Sequence, residues 1–184
     1  GYTAIGSNSG GGLFRGNPDL GREKSTQVEF GGEWQTGNRS VQAALFYRDD
    51  DPLVDWTFSK SNEFARQANP VAIQTVGAEL VAIQQWDRID LIFGYTWLNK
   101  DADYLGAEVD ASFYALNFAR HRFTAAVVWR ITDEFELRSD NEIRFQEPNE
   151  LRRVGGDDAF LSLLSVHYRP VLWPGLRIVM AVQN

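Results

Sequence analysis

Apolar and polar residues alternate along most of this chain, and this alternation is the feature that most constrains its fold. In the first such segment Val28, Phe30 and Trp34 point to one side, whereas Glu29 and Glu33 point to the other. Side chains along a β-strand have a period of two, so each segment has one apolar and one polar face. A transmembrane β-barrel has this pattern, because its outer wall meets lipid and its lumen is polar. A water-soluble β-sandwich is the alternative.

The alternation recurs in eight segments, which predict an all-β, antiparallel, up-and-down transmembrane β-barrel wall. The candidate strands cover residues 25–35, 39–58, 65–86, 88–99, 120–131, 134–146, 159–169 and 175–183. Short turns are predicted at 36–38, 86–87 and 132–133, and longer connections at 59–64, 100–119 and 147–158. Outer-membrane barrels have short periplasmic turns and long extracellular loops, whereas a sandwich has no reason to sort its loop lengths in this way.

The first part of the chain differs in composition from the rest. Residues 1–24 are rich in Gly, Ser and Asn, and they predict a long extracellular loop. The alternating pattern begins only after this segment. We therefore divide the chain into a loop, 1–24, and a β-barrel segment, 25–184.

Composition excludes several classes of function. The 25 acidic and 18 basic residues give a net charge of -7, and no basic stripe is present, so nucleic-acid binding is not expected. The chain has no cysteine, which excludes disulfides and thiolate metal sites. No apolar run approaches the ~18 residues that a membrane-spanning helix needs. No cofactor and no metal is predicted.

The sixth candidate strand has the most regular polar face. Glu136, Arg138, Asp140, Glu142 and Arg144 alternate along it, and five charged side chains on one face cannot form a packed apolar core. Such a face needs water and opposite charges, as the lumen of a barrel provides. The residues expected to face the lumen are Glu29, Glu33, Glu79, Asp90, Arg130, Glu136, Arg138, Asp140, Glu142 and Arg144.

The tryptophans are placed as aromatic girdles require. Four of the six fall at or near the short turns and two lie towards the long connections, and amphipathic rings suit the two interfaces of a membrane. The predicted girdle consists of Trp34, Trp56, Trp86, Trp97, Trp129 and Trp173.

No motif for catalysis is evident. The two histidines, His121 and His167, belong to no G-x-S-x-G or H-E-x-x-H motif, so we do not expect an enzyme. His121 is interpreted as an interface residue, and His167 is expected on the lipid-facing side near the short turns. Acidic clusters at residues 49–51, 101–103 and 157–158 lack EF-hand spacing and are interpreted as solvated loop charge.

Three stretches resemble motifs of the TonB-dependent outer-membrane receptors. Residues 17–25, which read NPDLGREKS, resemble the family's NPxLxPExS motif, although Arg22 stands where the family has proline. Residues 119–123, which read ARHRF, resemble the start of a later barrel strand, and residues 176–184 resemble the penultimate strand. The family-motif positions are Asn17, Pro18, Leu20, Glu23, Ser25, His121 and Arg122.

The resemblance implies a barrel of 22 strands closed by an N-terminal plug. Such receptors take up siderophores, cobalamin, haem or glycans with energy that TonB delivers to the plug. On this interpretation the chain forms the C-terminal third of the barrel in a Gram-negative outer membrane, and the plug and final strand are absent from it. The implied partners are membrane lipid, lipopolysaccharide, the remaining barrel strands, the plug and, through the plug, TonB.

Two alternatives remain open at this point. The chain would form a stand-alone eight-stranded outer-membrane barrel, with a structural or adhesive role, if its first strand closed on its eighth. It would otherwise be a soluble β-sandwich that binds a ligand, and detergent dependence separates this alternative from both membrane proteins.

Overall fold

The computed structural model describes residues 14–61, 66–113, 118–148 and 156–184, and its regular structure there consists of β-strands. The strands are β1 (Phe14–Arg15), β2 (Ser25–Thr36), β3 (Arg39–Phe58), β4 (Arg66–Gln85), β5 (Ile89–Asp103), β6 (Ala111–Ser112), β7 (Ala119–Arg130), β8 (Phe135–Gln146), β9 (Asp158–Tyr168) and β10 (Ile178–Gln183). In this described part of the chain, no helix is long and apolar enough to cross a membrane.

The eight long strands form one antiparallel sheet in which each strand pairs with the next long strand of the sequence. Their order is β2–β3–β4–β5–β7–β8–β9–β10. Every strand therefore returns beside its predecessor, as an up-and-down wall requires. Two short strands join this sheet, since β1 pairs in parallel with β4 and β6 pairs antiparallel with β3.

The eight predicted strands are confirmed, with bounds that differ from the observed ones by at most four residues. The two short strands were not predicted. β1 lies within the segment predicted as a loop, 1–24, of which residues 1–13 lie outside the described residues. β6 lies within the long connection predicted at 100–119. A strand of two residues is too short to show a periodic pattern. These two strands form because β1 can pair with β4, and β6 with β3, where the β3–β4 hairpin extends beyond its neighbours.

That hairpin is formed by β3 and β4, which have 20 residues each. Their pairing shifts register between Asp50 and Leu53, then continues as far as Thr57, where β6 is added. A small apolar core lies at this end of the sheet. It consists of Val71 and Ile73, with the partly buried Leu53, Ala102 and Tyr104 packed against them.

Elsewhere the sheet is a single layer. Among the described residues, strands contact only the neighbours with which they pair, so no second layer covers either face. Large apolar side chains are exposed on one face, for example Phe30 at 81% and Leu45 at 61%. Because a sandwich needs two packed sheets, this arrangement does not support the soluble alternative.

The sheet is also open in the described part of the chain. β2 and β10 occupy its two edges and do not pair with each other. Every residue of both strands is exposed. The closure required by a stand-alone eight-stranded barrel is therefore not observed.

Connections at one end of the sheet are short in three of four cases. They cover residues 37–38, 86–88 and 131–134, whereas the fourth, between β9 and β10, covers residues 169–177. At the opposite end the connections cover 59–65, 104–118 and 147–157. The predicted sorting of loop lengths thus holds for the three turns that the sequence analysis identified, and the fourth connection departs from it.

Gly77 provides a test of the packing across β3 and β4. A Cβ at this position would lie 2.6 Å from Cε1 and 2.8 Å from Cε2 of Phe46, whose ring covers the glycine. We expect Gly77→Ala to displace the ring and to lower the free energy of unfolding by about 1–3 kcal/mol, as overpacking does. Urea unfolding of the full native gene product in detergent measures this. Gly32→Ala is the control, because nothing lies within 4 Å of its Cβ position; equal effects of both substitutions would contradict the prediction.

Candidate functional site

The ten residues predicted to face the lumen occur on one face of the sheet, here called the polar face. Paired residues in an antiparallel sheet share a face, and one row of such pairs runs across six strands. This row contains Glu33, Gln42, Val81, Gly94, Thr124 and Glu142. The same pairing places the other eight predicted residues on this face. That the polar face lines a lumen stays a prediction.

Most charges on β5, β7 and β8 are compensated within the sheet. Glu142 accepts hydrogen bonds from Arg122, at 2.8 Å, and from Arg144. Arg138 donates to both oxygens of Asp140, each at 2.7 Å. Asp90 on β5 is paired with Arg130 on β7, and Glu136 lies 3.6 Å from Arg169. Opposite charges held next to each other, within β8 and between adjacent strands, stabilise this half of the polar face.

The other half of the polar face is electrostatically different. Glu29, Glu33 and Glu79 lie on β2 and β4, and in the part of the chain that the structure describes they form no ion pair. Glu29 accepts only a long hydrogen bond from Gln27, at 3.4 Å. Three carboxylates without cations require water or a polar partner on this half of the face.

The predicted position of His167 was wrong. His167 is opposite Glu136, so it belongs to the polar face, and only 9% of it is exposed. The prediction failed because β9 is apolar on both faces, and Leu161 and Leu163 share the polar face with His167. Alternation of polar and apolar residues could not assign His167 to a face, because both faces of this strand are mainly apolar.

His167 also has contacts that resemble part of a catalytic triad. Its Nε2 lies 3.0 Å from the hydroxyl of Ser165, and its Nδ1 lies 3.6 Å from Glu136. However, Nδ1 also contacts the guanidinium of Arg177, which only donates, so Nδ1 must act as the acceptor. Nε2 then carries the proton and donates to Ser165, which is the reverse of what a general base requires.

The family-motif residues at the start of the chain tie the β3–β4 hairpin to β2. Glu23 accepts a hydrogen bond from the backbone N–H of Val54, at 2.9 Å, and Ser25 begins β2 opposite Asp50. Asn17 accepts from the N–H of Asp19, at 3.0 Å, in a turn that includes Pro18. Leu20 is partly buried. These contacts are made with Arg22 at the position where the family motif has proline.

The second motif places its two residues on opposite faces. His121 points to the apolar face, where its Nδ1 lies 2.9 Å from the hydroxyl of Tyr95. Arg122 points to the polar face and donates to Glu142. His121 is thus held at the end of the apolar face, whereas Arg122 belongs to the charged network.

The tryptophans separate into two groups and one exception. Trp34, Trp86 and Trp129 lie at the short-turn end with 55%, 52% and 45% of their surface exposed, and Trp173 lies in the β9–β10 connection at that end. Trp97 lies towards the other end of the apolar face. Trp56 is in the extended part of the β3–β4 hairpin, where it is paired with Ala68. The row of paired residues that contains Trp97 crosses β3 at Leu45 instead. The girdles themselves stay a prediction.

Among the described residues, the most completely buried carboxylate is that of Asp55, in the β3–β4 hairpin. Asp55 has no exposed surface, and its Oδ1 accepts a hydrogen bond from the N–H of Phe113, at 3.1 Å. Burial raises the pKa of the Tyr104 hydroxyl, which lies in the adjacent apolar core. The long 104–118 connection is thus fastened to β3. Within the described ranges, no group of three or more His, Cys, Asp or Glu is placed to hold a metal ion.

The charged network of β7 and β8 should contribute to stability. We expect Glu142→Gln to lower the free energy of unfolding of the full native gene product by about 1–2 kcal/mol, because a partly shielded carboxylate loses two guanidinium partners. Urea unfolding followed by tryptophan fluorescence measures the change. The matched control is Glu33→Gln in the same row, for which we expect a change within about 0.5 kcal/mol. A larger loss of stability in Glu33→Gln than in Glu142→Gln would contradict the prediction.

The fastening of the 104–118 connection can be tested in the same protein. Asp55→Ala removes the buried acceptor of the Phe113 N–H, and leaving such a donor unpaired costs about 1–3 kcal/mol. We expect faster cleavage within 104–118 during limited proteolysis, mapped by mass spectrometry. Asp101→Ala is the control, since Asp101 is exposed. Unchanged cleavage after Asp55→Ala would show that other contacts hold the connection.

Comparison with known proteins gives a family and a fold. The model of the family described as "TonB dependent receptor-like, beta-barrel" matches residues 1–184. No curated protein matches. Two solved structures of variants of the ferric enterobactin receptor PfeA from Pseudomonas aeruginosa share the fold. One is 19% identical with a TM-score of 0.64, and the other is 18% identical with a TM-score of 0.61.

Each comparison with a solved receptor covers 93% of this chain and 27% of the receptor chain. The chain therefore spans about a quarter of the length of the receptors it matches. The predicted membership of the TonB-dependent receptors is confirmed, because the family model covers all 184 residues. The individual motif positions at residues 17–25 and 119–123 stay a prediction. The chain belongs to the TonB-dependent receptor β-barrel family, whose members are transport receptors and not enzymes.

Proposed function

We propose that this chain forms part of the barrel wall of a receptor in the outer membrane of a Gram-negative cell. The receptor takes up a scarce nutrient, of the siderophore, cobalamin, haem or glycan class, with energy delivered by TonB. The observation that carries the proposal is the open, two-faced antiparallel sheet, in a chain that the family model matches throughout.

The two faces support a membrane location. Exposed Phe30, Leu45 and Val127 lie on the apolar face, and such surface is stable against hydrocarbon but not against water. Strand pairing satisfies the backbone N–H and C=O groups, which is a requirement inside a bilayer. The polar face then lines the lumen, and its charges face water and the plug.

The proposed partners follow from what the sheet leaves open. Within the described residues, β2 and β10 each have an unpaired edge. Further strands of the receptor would pair with these edges, because a bilayer does not tolerate an open edge. The plug would contact the polar face, and TonB would act through the plug. Phospholipid and lipopolysaccharide would contact the apolar face.

The end of the sheet that has the long connections would face the outside of the cell, and its charge bears on the kind of ligand that the receptor takes up. Of the cations at this end, Arg48 and Lys60 are paired with Asp50 and Asp110, and Arg22 and Lys24 are exposed. Exposed carboxylates of this end include Asp51, Asp101, Asp103 and Glu108. This section of the rim therefore repels strongly anionic ligands and favours neutral or cationic ones.

The size of the native gene product tests the assignment to a larger receptor. An antibody raised against residues 1–24 should detect, in an outer-membrane fraction, a protein about three to four times larger than the 20.8 kDa of this chain, since the chain covers 27% of the solved receptors. A band at the mass of the chain itself would contradict the proposal and favour a small, self-contained barrel.

Energised uptake tests the function. A strain that lacks the gene, supplied with ferric siderophores, cobalamin, haem or maltodextrin in turn, should fail to accumulate one of these probes. Restoring the gene should restore accumulation, and deleting the TonB protein should abolish it again. Accumulation that persists without TonB would indicate passive diffusion through a porin-like barrel and would overturn the proposal.

A further inference from the structure

The β9–β10 connection has an unusual surface for the short-turn end of a barrel. Between Arg169 and Arg177 it contains seven residues without a polar side chain, 170–176. Val171 is 73% exposed and Leu172 is 85% exposed. Exposure of this apolar surface to water would cost free energy. Contiguous exposed apolar residues of this kind mark an interaction site.

The connection is held in one shape. Trp173 N–H donates to Pro170 O at 3.2 Å, and Leu176 N–H donates to Trp173 O at 3.0 Å, so two β-turns follow each other. Pro174 and Gly175, with φ +91° at the glycine, occupy the central positions that a type II turn requires. The apolar side chains are therefore displayed by an ordered loop.

Further contacts fix the base of the loop to the 131–134 turn that precedes β8. The N–H of Arg169 donates to the carbonyl of Glu134, at 2.8 Å, and the N–H of Val171 donates to the Glu134 carboxylate, at 3.2 Å. The side chains of Arg169 and Arg177 contact Glu136 and His167 on the polar face. Both flanking charges are thus retained on the polar face, and the segment between them is left apolar.

The loop begins and ends on the apolar face. Tyr168 precedes it and Ile178 follows it, and these two residues are paired. The ring of Tyr168 stacks on Phe135, with centroids 4.5 Å apart. The apolar surface of the loop is therefore continuous with that face, at the same end as Trp34 and Trp129.

We propose that the β9–β10 connection lies in the phospholipid interface of the periplasmic leaflet and anchors this end of the barrel wall there. The occupant of its apolar surface is lipid, since Val171, Leu172 and Trp173 extend the lipid-facing surface and their flanking arginines point away from it. An amphipathic ring such as that of Trp173 is suited to this depth. The inference rests on the proposed membrane location of the chain.

Site-directed spin labelling of the full native gene product tests the anchor. This chain has no cysteine, so Leu172→Cys can be labelled once cysteines elsewhere in the gene product are replaced by serine. In phospholipid bilayers, collisions with oxygen and with a water-soluble nickel chelate report the depth of the label. We expect a depth of about 5–10 Å inside the lipid boundary, as for interfacial segments. Val171→Cys is a second site if the first variant folds poorly.

Two control sites separate the possible outcomes. Asp133→Cys, in the neighbouring 131–134 turn, should be reached by nickel, and Leu45→Cys, on the apolar face, should be reached by oxygen alone. If Leu45 behaves so but Leu172 is reached by nickel, the loop lies in water and the inference fails. If Leu172 is reached by neither, protein covers it, and the inference also fails. If nickel reaches Leu45, the membrane location itself fails and the inference with it.

Discussion

Hydrogen-bonded pairing between neighbouring strands is the interaction on which the rest of this structure depends. It satisfies the backbone in a single layer that no second layer covers, and it also fixes which side chains share a face. A slip of one residue would move the row of Glu33 to the apolar face and Phe30 to the polar one. In hydrocarbon such a slip would bury charge, so the membrane would reinforce the register that the backbone pairing establishes.

The polar face divides into two halves because pairing brings opposite charges together on only some strands. Between β7 and β8 the register sets Arg130 opposite Glu136, and Arg122 lies within reach of Glu142. On β2 to β4 the same register sets Glu33 opposite Gln42 and Glu79 opposite Ala44, so carboxylates meet neutral neighbours. The charges of one half are compensated within the sheet, whereas the carboxylates of the other half need water or a polar partner.

Sequence patterns predicted the long strands well because period-two alternation and turn residues are local signals. They failed where long-range pairing decides the structure. Ala111–Ser112 becomes a strand only because β3 extends far enough to meet it. Trp56 lies outside the row of Trp97, because that row crosses β3 at Leu45 and Trp56 is eleven residues further along the strand. His167 was assigned to the wrong face because β9 offers no polar contrast, and its position emerges only from its pairing with Glu136.

Loop length and loop environment are separate properties, and the connection at 169–177 shows why. In a meander of paired neighbours, successive connections alternate between the two ends of the sheet whatever their lengths. This connection therefore shares an end with the turns at 37–38 and 131–134, although it is several times longer than the first. Its length gives no indication of its surroundings, whereas its composition does. An ordered segment whose flanking charges point to the polar face, and whose remaining side chains are apolar, has the composition expected of a segment that contacts lipid.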